Sequence, residues 1–252
     1  MASTVFQSSA QAKNDNGLHL GQHKGEGRPR GHGHGPQCFL RGTAILTPTG
    51  EVPIEALQIG DLVVTAGGTV QPIKWIGRQI YRKSGAAWPR SVVPIRIARA
   101  ALGARTPHAD LYLSPGHALL LDGLLIPAQA LVNGTSIAPA LPDGRAEIEY
   151  FNLLFDTHVA ILAEGAAAET FLPDGRNHEG FSNFLEYERL YPGQPPPRQT
   201  PCAPAVARGG RAHLQALVLL GLSRILPEQD PMGDVYEHTY QHLARRAQEL
   251  AG

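Results

Sequence analysis

Two cysteines among 252 residues leave little room for several kinds of chemistry. Cys38 and Cys202 are too distant for a CxxC zinc site and too few for a disulfide framework. One long-range bridge is the most they allow. An excess of charge is also missing, since 22 basic and 22 acidic side chains cancel, and no basic stripe is available for nucleic acid. No uninterrupted apolar run reaches the roughly 18 residues of a membrane-spanning helix. The opening MASTVFQSSAQAKNDNGLHL has no basic stretch ahead of an apolar core, so no Sec signal peptide is expected. The expectation is a soluble chain with no nucleic-acid partner and no membrane span, of one sizeable domain or two small ones. Its redox compartment and its localisation stay open.

Residues 1–37 are rich in Gly, Ser, Asn, Gln, Lys and His and carry almost nothing to bury. Such a segment cannot offset its ordering entropy and is expected to be a mobile tail. Within it, GRPRGHGHG sets His32 and His34 two positions apart, either a weak metal-binding tract or a glycine-rich linker, with the linker preferred. From Cys38 to Leu172 the pattern is that of an all-β domain, short apolar runs alternating with turn clusters. The runs are Thr43–Thr47, Asp61–Thr65, Val70–Ile76, Val93–Ala98, Asp110–Leu113, His117–Leu121, Leu124–Pro127, Ile148–Phe155 and Ala160–Ala163. Turns fall at Ala66-Gly67-Gly68, Asp122-Gly123, Asn133-Gly134 and Pro142-Asp143-Gly144, and LLLDGLLIP spells a two-residue hairpin. Residues 173–252 read as a proline-rich linker and a small helical extension. Helices are expected near Phe184–Leu190, over Ala212–Leu226 and over Asp234–Leu250, the second apolar nearly all round and in need of a partner surface.

The opening of the β domain, CFLRGTAILTPTGEVPIEALQIGDLVV, places Cys38 where the low-complexity tail gives way to folding sequence. A cysteine there has its own N-side peptide bond within reach of its thiol, the arrangement a chain needs to attack itself at Gln37-Cys38. A second segment, LYLSPGHALLLDG, sets Ser114 and His117 three positions apart between two strands. A hydroxyl and an imidazole so spaced can converge on one peptide group, one holding it while the other exchanges a proton. Each residue also has a plainer reading. Cys38 could be a small buried hydrophobe, Ser114 a turn cap and His117 a partly exposed strand-starting histidine. Cys202, in the proline-rich linker, reads as an exposed thiol without a role, and Trp75 and Trp88 as packing residues.

Taken together, CF..GT..LTP.GEVPIEALQIGDLVVT, the Ser114-Pro115-Gly116-His117 turn and FDTHVAIL with His158 resemble the Hint domain, the hedgehog/intein autoprocessing fold. The turn is similar to that family's TxxH motif, with Ser for Thr. Trp75 to Arg78, the loop Asn133 to Ile137 and the stretch Ala163 to Glu169 resemble the bacterial Hint variant. The resemblance implies an all-β, horseshoe-like Hint fold over Cys38 to Leu172. It also implies single-turnover cleavage, with Cys38 as nucleophile on the Gln37 carbonyl, His117 as proton donor to the departing nitrogen and Ser114 orienting the scissile peptide. His158 joins this catalytic set, with a satisfied core histidine as its other reading. The chain's own N-terminal segment is then the substrate, water or a small nucleophile resolves a thioester, and no cofactor or metal is required. Three departures from the family follow. No His-Asn junction appears at the end of the β domain, so full splicing is not expected. Ser91 to Arg105 holds no acidic residue where hedgehog-type domains carry an aspartate, and Asp110 is poorly placed to substitute. The C-terminal helices show no sterol-recognition counterpart, so cholesterol transfer is not expected. Two other functions stay open: a Hint-fold binding or scaffold module without chemistry, and a trans-acting cysteine hydrolase using Cys38 and His117.

Overall fold

Period-two alternation of side chains builds this chain, because each strand buries one face and only alternate residues need be apolar. The computed structural model describes residues 37–85, 87–141, 146–174, 176–194, 196, 198–206 and 231–251. The tail with His32 and His34, the turn Pro142-Asp143-Gly144 and the helix expected over Ala212–Leu226 lie outside the described residues. The fold is mostly β-sheet with a C-terminal helix, as expected. All nine apolar runs contain strands: β2 (Ala44–Thr47), β4 (Leu62–Val64), β5 (Val70–Pro72), β7 (Ile95–Ile97), β8 (Leu111–Leu113), β9 (Ala118–Leu121), β10 (Leu124–Pro127), β12 (Glu147–Leu154) and β13 (Ala160–Ala163). The run Val70–Ile76 divides, since Ile73 and Lys74 separate β5 from β6 (Trp75–Arg82). Four short strands add to these: β1 (Phe39–Leu40), β3 (Gly50–Pro53), β11 (Ile137–Pro139) and β14 (Ala166–Glu169).

One sheet has the order β11-β7-β8-β1-β12-β6, a second β10-β9-β14-β13-β2-β3, and β4 pairs with β5. The pairings are antiparallel, with Phe39 opposite both Leu113 and Phe151. At the hairpin between β9 and β10, Asp122 and Gly123 take φ of 48° and 81°. This is the left-handed pair that a two-residue turn requires, and Asp-Gly supplies it at low steric cost.

Alternation in β12 divides the core. Phe151 and Leu153 enter a large cluster with Phe39, Ile45, Ile97, Leu113 and Leu119. Ile148, Tyr150 and Leu154 join a second with Cys38, Leu40, Trp75, Phe171, Phe181 and Tyr187. α1 (Phe184–Leu190) and the short helical turn before it bring Tyr187 and Phe181 to this cluster. The same segment bonds to the main chain of β6, with Asn183 Oδ1 accepting from the N–H of Arg78 at 2.7 Å and Ser182 Oγ from that of Ile80 at 3.4 Å. Gly77 makes this approach possible, because a Cβ there would lie 2.7 Å from two carbons of the Phe181 ring. That ring is wedged against Trp75 and Phe171 and cannot retreat freely. Gly77→Ala is expected to cost about 1–3 kcal/mol through overpacking. A melting temperature equal to that of the unchanged chain would refute this.

α2 (Pro231–Ala251) covers the helix expected over Asp234–Leu250. It buries Tyr236, Thr239, Leu243 and Ala247, the three-and-four spacing of one helix face. Thr239 Oγ1 bonds to Asp122 Oδ2 at 2.6 Å, and Arg246 Nε donates to the Ala100 carbonyl at 2.9 Å, fixing the helix to two turns of the β domain.

Candidate functional site around the Gln37–Cys38 peptide

Cys38 stands one residue ahead of β1, the strand lying between β8 and β12. A peptide in that position is flanked on both sides, and both flanking strands reach for it. From the β8 side, the N–H of Cys38 donates to Ser114 Oγ at 2.8 Å, and the Cys38 carbonyl accepts from the N–H of Ser114 at 2.9 Å. Ser114 thus carries the ladder one step past its last strand pair and substitutes a side chain for a main-chain carbonyl. From the β12 side, Asn152 Nδ2 donates to the carbonyl oxygen of Gln37. The other end of that amide is fixed, since Asn152 Oδ1 accepts from the N–H of Leu153 at 2.8 Å.

The turn Ser114-Pro115-Gly116-His117 closes with the N–H of His117 donating to the Ser114 carbonyl at 3.0 Å. This carries the imidazole beneath the Phe39 ring, with centroids 4.3 Å apart and the rings edge to face. His117 is fully buried, so the reading of it as partly exposed does not hold. Its Nε2 lies 2.9 Å from the carbonyl oxygen of Glu169. A carbonyl only accepts, so the network assigns the proton to Nε2 and leaves the lone pair on Nδ1, which has no hydrogen-bond partner among the described residues. Burial, the largest influence, lowers the imidazole to a pKa of about 4, against the pull of the Glu169 and Cys38 main chain. The ring is therefore neutral near pH 7.

The Cys38 thiol is 0 % exposed. It packs in the cluster of Leu40, Trp75 and Tyr150, and burial holds it far above its ordinary value, so it is protonated at neutral pH.

His158 occupies a neighbouring position. Its Nδ1 accepts from the N–H of Cys202 at 2.9 Å, and its Nε2 lies 3.2 Å from the Thr170 carbonyl and 3.8 Å from Glu169 Oε2. Burial lowers its pKa too, and burial raises that of Glu169 to about 7. The structure therefore sets Ser114 on the Cys38 N–H, His117 against Phe39 with the Cys38 main chain close to its ring, the Cys38 thiol in the cluster of Leu40 and Trp75, and His158 beside Glu169. The Cys202 thiol is exposed, as expected, while its main-chain N–H fixes the His158 ring. Asp110 is committed elsewhere, accepting from Arg96 Nε at 2.7 Å and the N–H of Arg99 at 2.9 Å. Trp75 is buried core, and Trp88 is half-buried against the same cluster.

Two residues at the site carried no role in the sequence reading, Asn152 and Glu169. The signal for Asn152 was available: an asparagine inside the apolar run Tyr-Phe-Asn-Leu-Leu-Phe must find partners once buried. Among the described residues, one group of three metal-ligand side chains gathers within 4.8 Å, His178, Glu179 and Glu188, none of which belongs to this site. Glu179 there is paired with Arg176.

A family model described as a Hint domain matches residues 37–175, and this places the chain in the hedgehog/intein class of β domains. The match begins at the residue whose carbonyl meets Asn152. The chain belongs to the Hint domain family. It is also similar to solved structures. The crystal structure of the MchDnaB-1 intein (N145AA) shares 10 % identity over 53 % of this chain and 99 % of that one, at a TM-score of 0.37. The solution structure of a bacterial intein-like domain from Clostridium thermocellum shares 16 % over 54 % and 99 %, at 0.39. The crystal structure of the gp41-1 intein shares 14 % over 52 % and 96 %, at 0.35. No curated protein sequence matches.

Proposed function

We propose that the chain cleaves itself once, at the Gln37–Cys38 bond, by an N–S acyl shift. The observation that carries this reading is the grip on that single peptide, with Ser114 on its N–H and Asn152 on its carbonyl oxygen. Sγ of Cys38 adds to the Gln37 carbonyl carbon, and the thiol proton is relayed by solvent to Nδ1 of His117, whose ring lies on the Phe39 side of β1 while the thiol lies on the Leu40 side. The carbonyl oxygen gains negative charge as the carbon becomes tetrahedral, and the Asn152 amide is the donor already aimed at it. The C–N bond then breaks, Nδ1 gives its proton to the departing Cys38 nitrogen, and a thioester replaces the amide. The step is an isomerisation with nothing gained or lost. A histidine whose pKa is about 4 is neutral when the thiol proton arrives and, once charged, gives it up readily.

The amide is more stable than the thioester, so a second nucleophile has to draw the reaction on. Water adds to the thioester carbonyl and releases residues 1–37 with a Gln37 carboxylate, leaving Cys38 as the new N-terminus. A small thiol instead carries residues 1–37 away as its own thioester. Splicing forms no part of the proposal, because β14 ends in Glu169 and is followed by Thr170 and Phe171. A trans-acting hydrolase finds no support in a thiol without exposure. The buried, protonated thiol favours one other reading, a Hint-fold binding module without cleavage.

Intact-mass spectrometry of the purified chain and of Cys38→Ala, each with and without dithiothreitol, separates the two. Loss of residues 1–37 only where Cys38 is present, faster with thiol, is the expected result. A full-length mass in every sample overturns cleavage and leaves the binding module.

A further inference from the structure

Glu169 is a buried carboxylate that the steps above do not use. It ends β14, is 5 % exposed, and touches both histidines of the site. Its main-chain carbonyl receives His117 Nε2 at 2.9 Å, while its side-chain Oε1 accepts from the N–H of Ala118 at 2.8 Å. Ala118 directly follows His117, so the carboxyl group is anchored one residue from that imidazole. Its other oxygen, Oε2, stands 3.8 Å from His158 Nε2. The titratable groups beside the carboxyl among the described residues are His158 ahead of β13 and the thiol of Cys202, while His117 at the head of β9 meets the main-chain carbonyl of the same residue and feels the charge of His158. No arginine or lysine pairs with it there, which is unusual for a buried carboxylate.

We propose, on the self-cleavage reading above, that the Glu169 carboxylate is a positioning residue that supplies the counter-charge to His117 while that imidazole holds the thiol proton. A buried imidazolium with no anion nearby is costly, and the carboxylate offsets the cost only when ionised. Burial raises Glu169 to about 7, so the compensating charge is present above neutral pH and withdrawn below it. The main-chain carbonyl of the same residue fixes the His117 tautomer, so one residue sets both the orientation of the ring and the cost of charging it.

The test uses Glu169→Gln, which keeps an oxygen for the Ala118 N–H and the same main-chain carbonyl. In the Cys38→Ala chain, NMR titration is expected to show a step near pH 7 in the ring signals of His117 and His158, reporting the Glu169 proton. That step disappears in Glu169→Gln. Ring signals that show no step near neutral pH in either chain overturn the proposal. With Cys38 in place, the cleavage rate of the unchanged chain relative to Glu169→Gln is expected to rise about tenfold from below pH 7 to above it, one pKa unit of coupling. Glu169→Asp retains the charge and restores the rise. A ratio that stays constant with pH also overturns the proposal. A chain that never cleaves removes the self-cleavage reading and the role in it, while the titration still decides whether the carboxylate and the imidazoles share a proton.

Discussion

Asn152→Ala is expected to slow release of residues 1–37 by about two to three orders of magnitude, the usual cost of losing one oxyanion donor. Asn152 is fully buried, and its Nδ2 points at the Gln37 oxygen while Leu153 holds its Oδ1. The side chain is thus oriented before any charge develops, and its contribution grows as the oxygen becomes an anion. Alanine removes the donor and opens a small void that faces Gly77 across the β6–β12 ladder. The effect is read as a rate constant from mass spectra over time, with a melting curve showing that the variant is folded at the assay temperature. A rate within threefold of the unchanged chain would remove Asn152 from the mechanism.

Trp75→Ala produces the largest expected loss of stability, about 3–5 kcal/mol, as for other buried aromatic-to-alanine changes. The indole is 1 % exposed. It meets the rings of Phe171, Phe181 and Tyr187 edge-on, with centroids 6.2, 5.3 and 5.5 Å away. These partners come from beyond β14 and from the α1 region, so the indole joins the end of the family match to the sheet that holds Cys38. Its Nε1 is buried without a hydrogen-bond partner among the described residues. An unmet buried donor costs roughly 1–3 kcal/mol. Trp75→Phe removes that donor along with part of the ring and is expected to lose much less than alanine does. Urea denaturation at constant slope measures both. An alanine variant within about 1 kcal/mol of the unchanged chain would contradict the packing argument.

Much of the β domain was legible because its strands carry their own signals, apolar runs bounded by Gly, Pro, Asn and Asp. The strands that escaped notice are those whose stability is borrowed. β1 has two residues, β14 is Ala-Ala-Ala-Glu, and β3 and β11 end in proline. β1 and β11 pair only with strands distant in sequence, while β3 and β14 close tight hairpins on β2 and β13 with residues of weak strand propensity, and local propensity records neither. The site divides the same way. Ser114 and His117 share one turn, and Cys38 opens the β domain, so proximity in sequence gave them away. Asn152 reaches Gln37 only because β12 lies beside β1, and Glu169 reaches His117 only because β14 lies beside β9. Neither adjacency is written in a local pattern.

The segments after the family match also close two sheets. β6 is the last strand of one sheet, and Ser182 and Asn183 occupy its outward N–H groups at Arg78 and Ile80. β10 is the last strand of the other, and residues 204–206 take both the N–H and the carbonyl of Leu125, at 2.8 and 2.9 Å. An exposed strand edge is a template for strands of other chains. Here both templates are occupied by the chain itself, so lateral growth into a larger sheet, or into an aggregate, is blocked at these two edges. The described C-terminal segments therefore cover these two strand edges as well as packing the core.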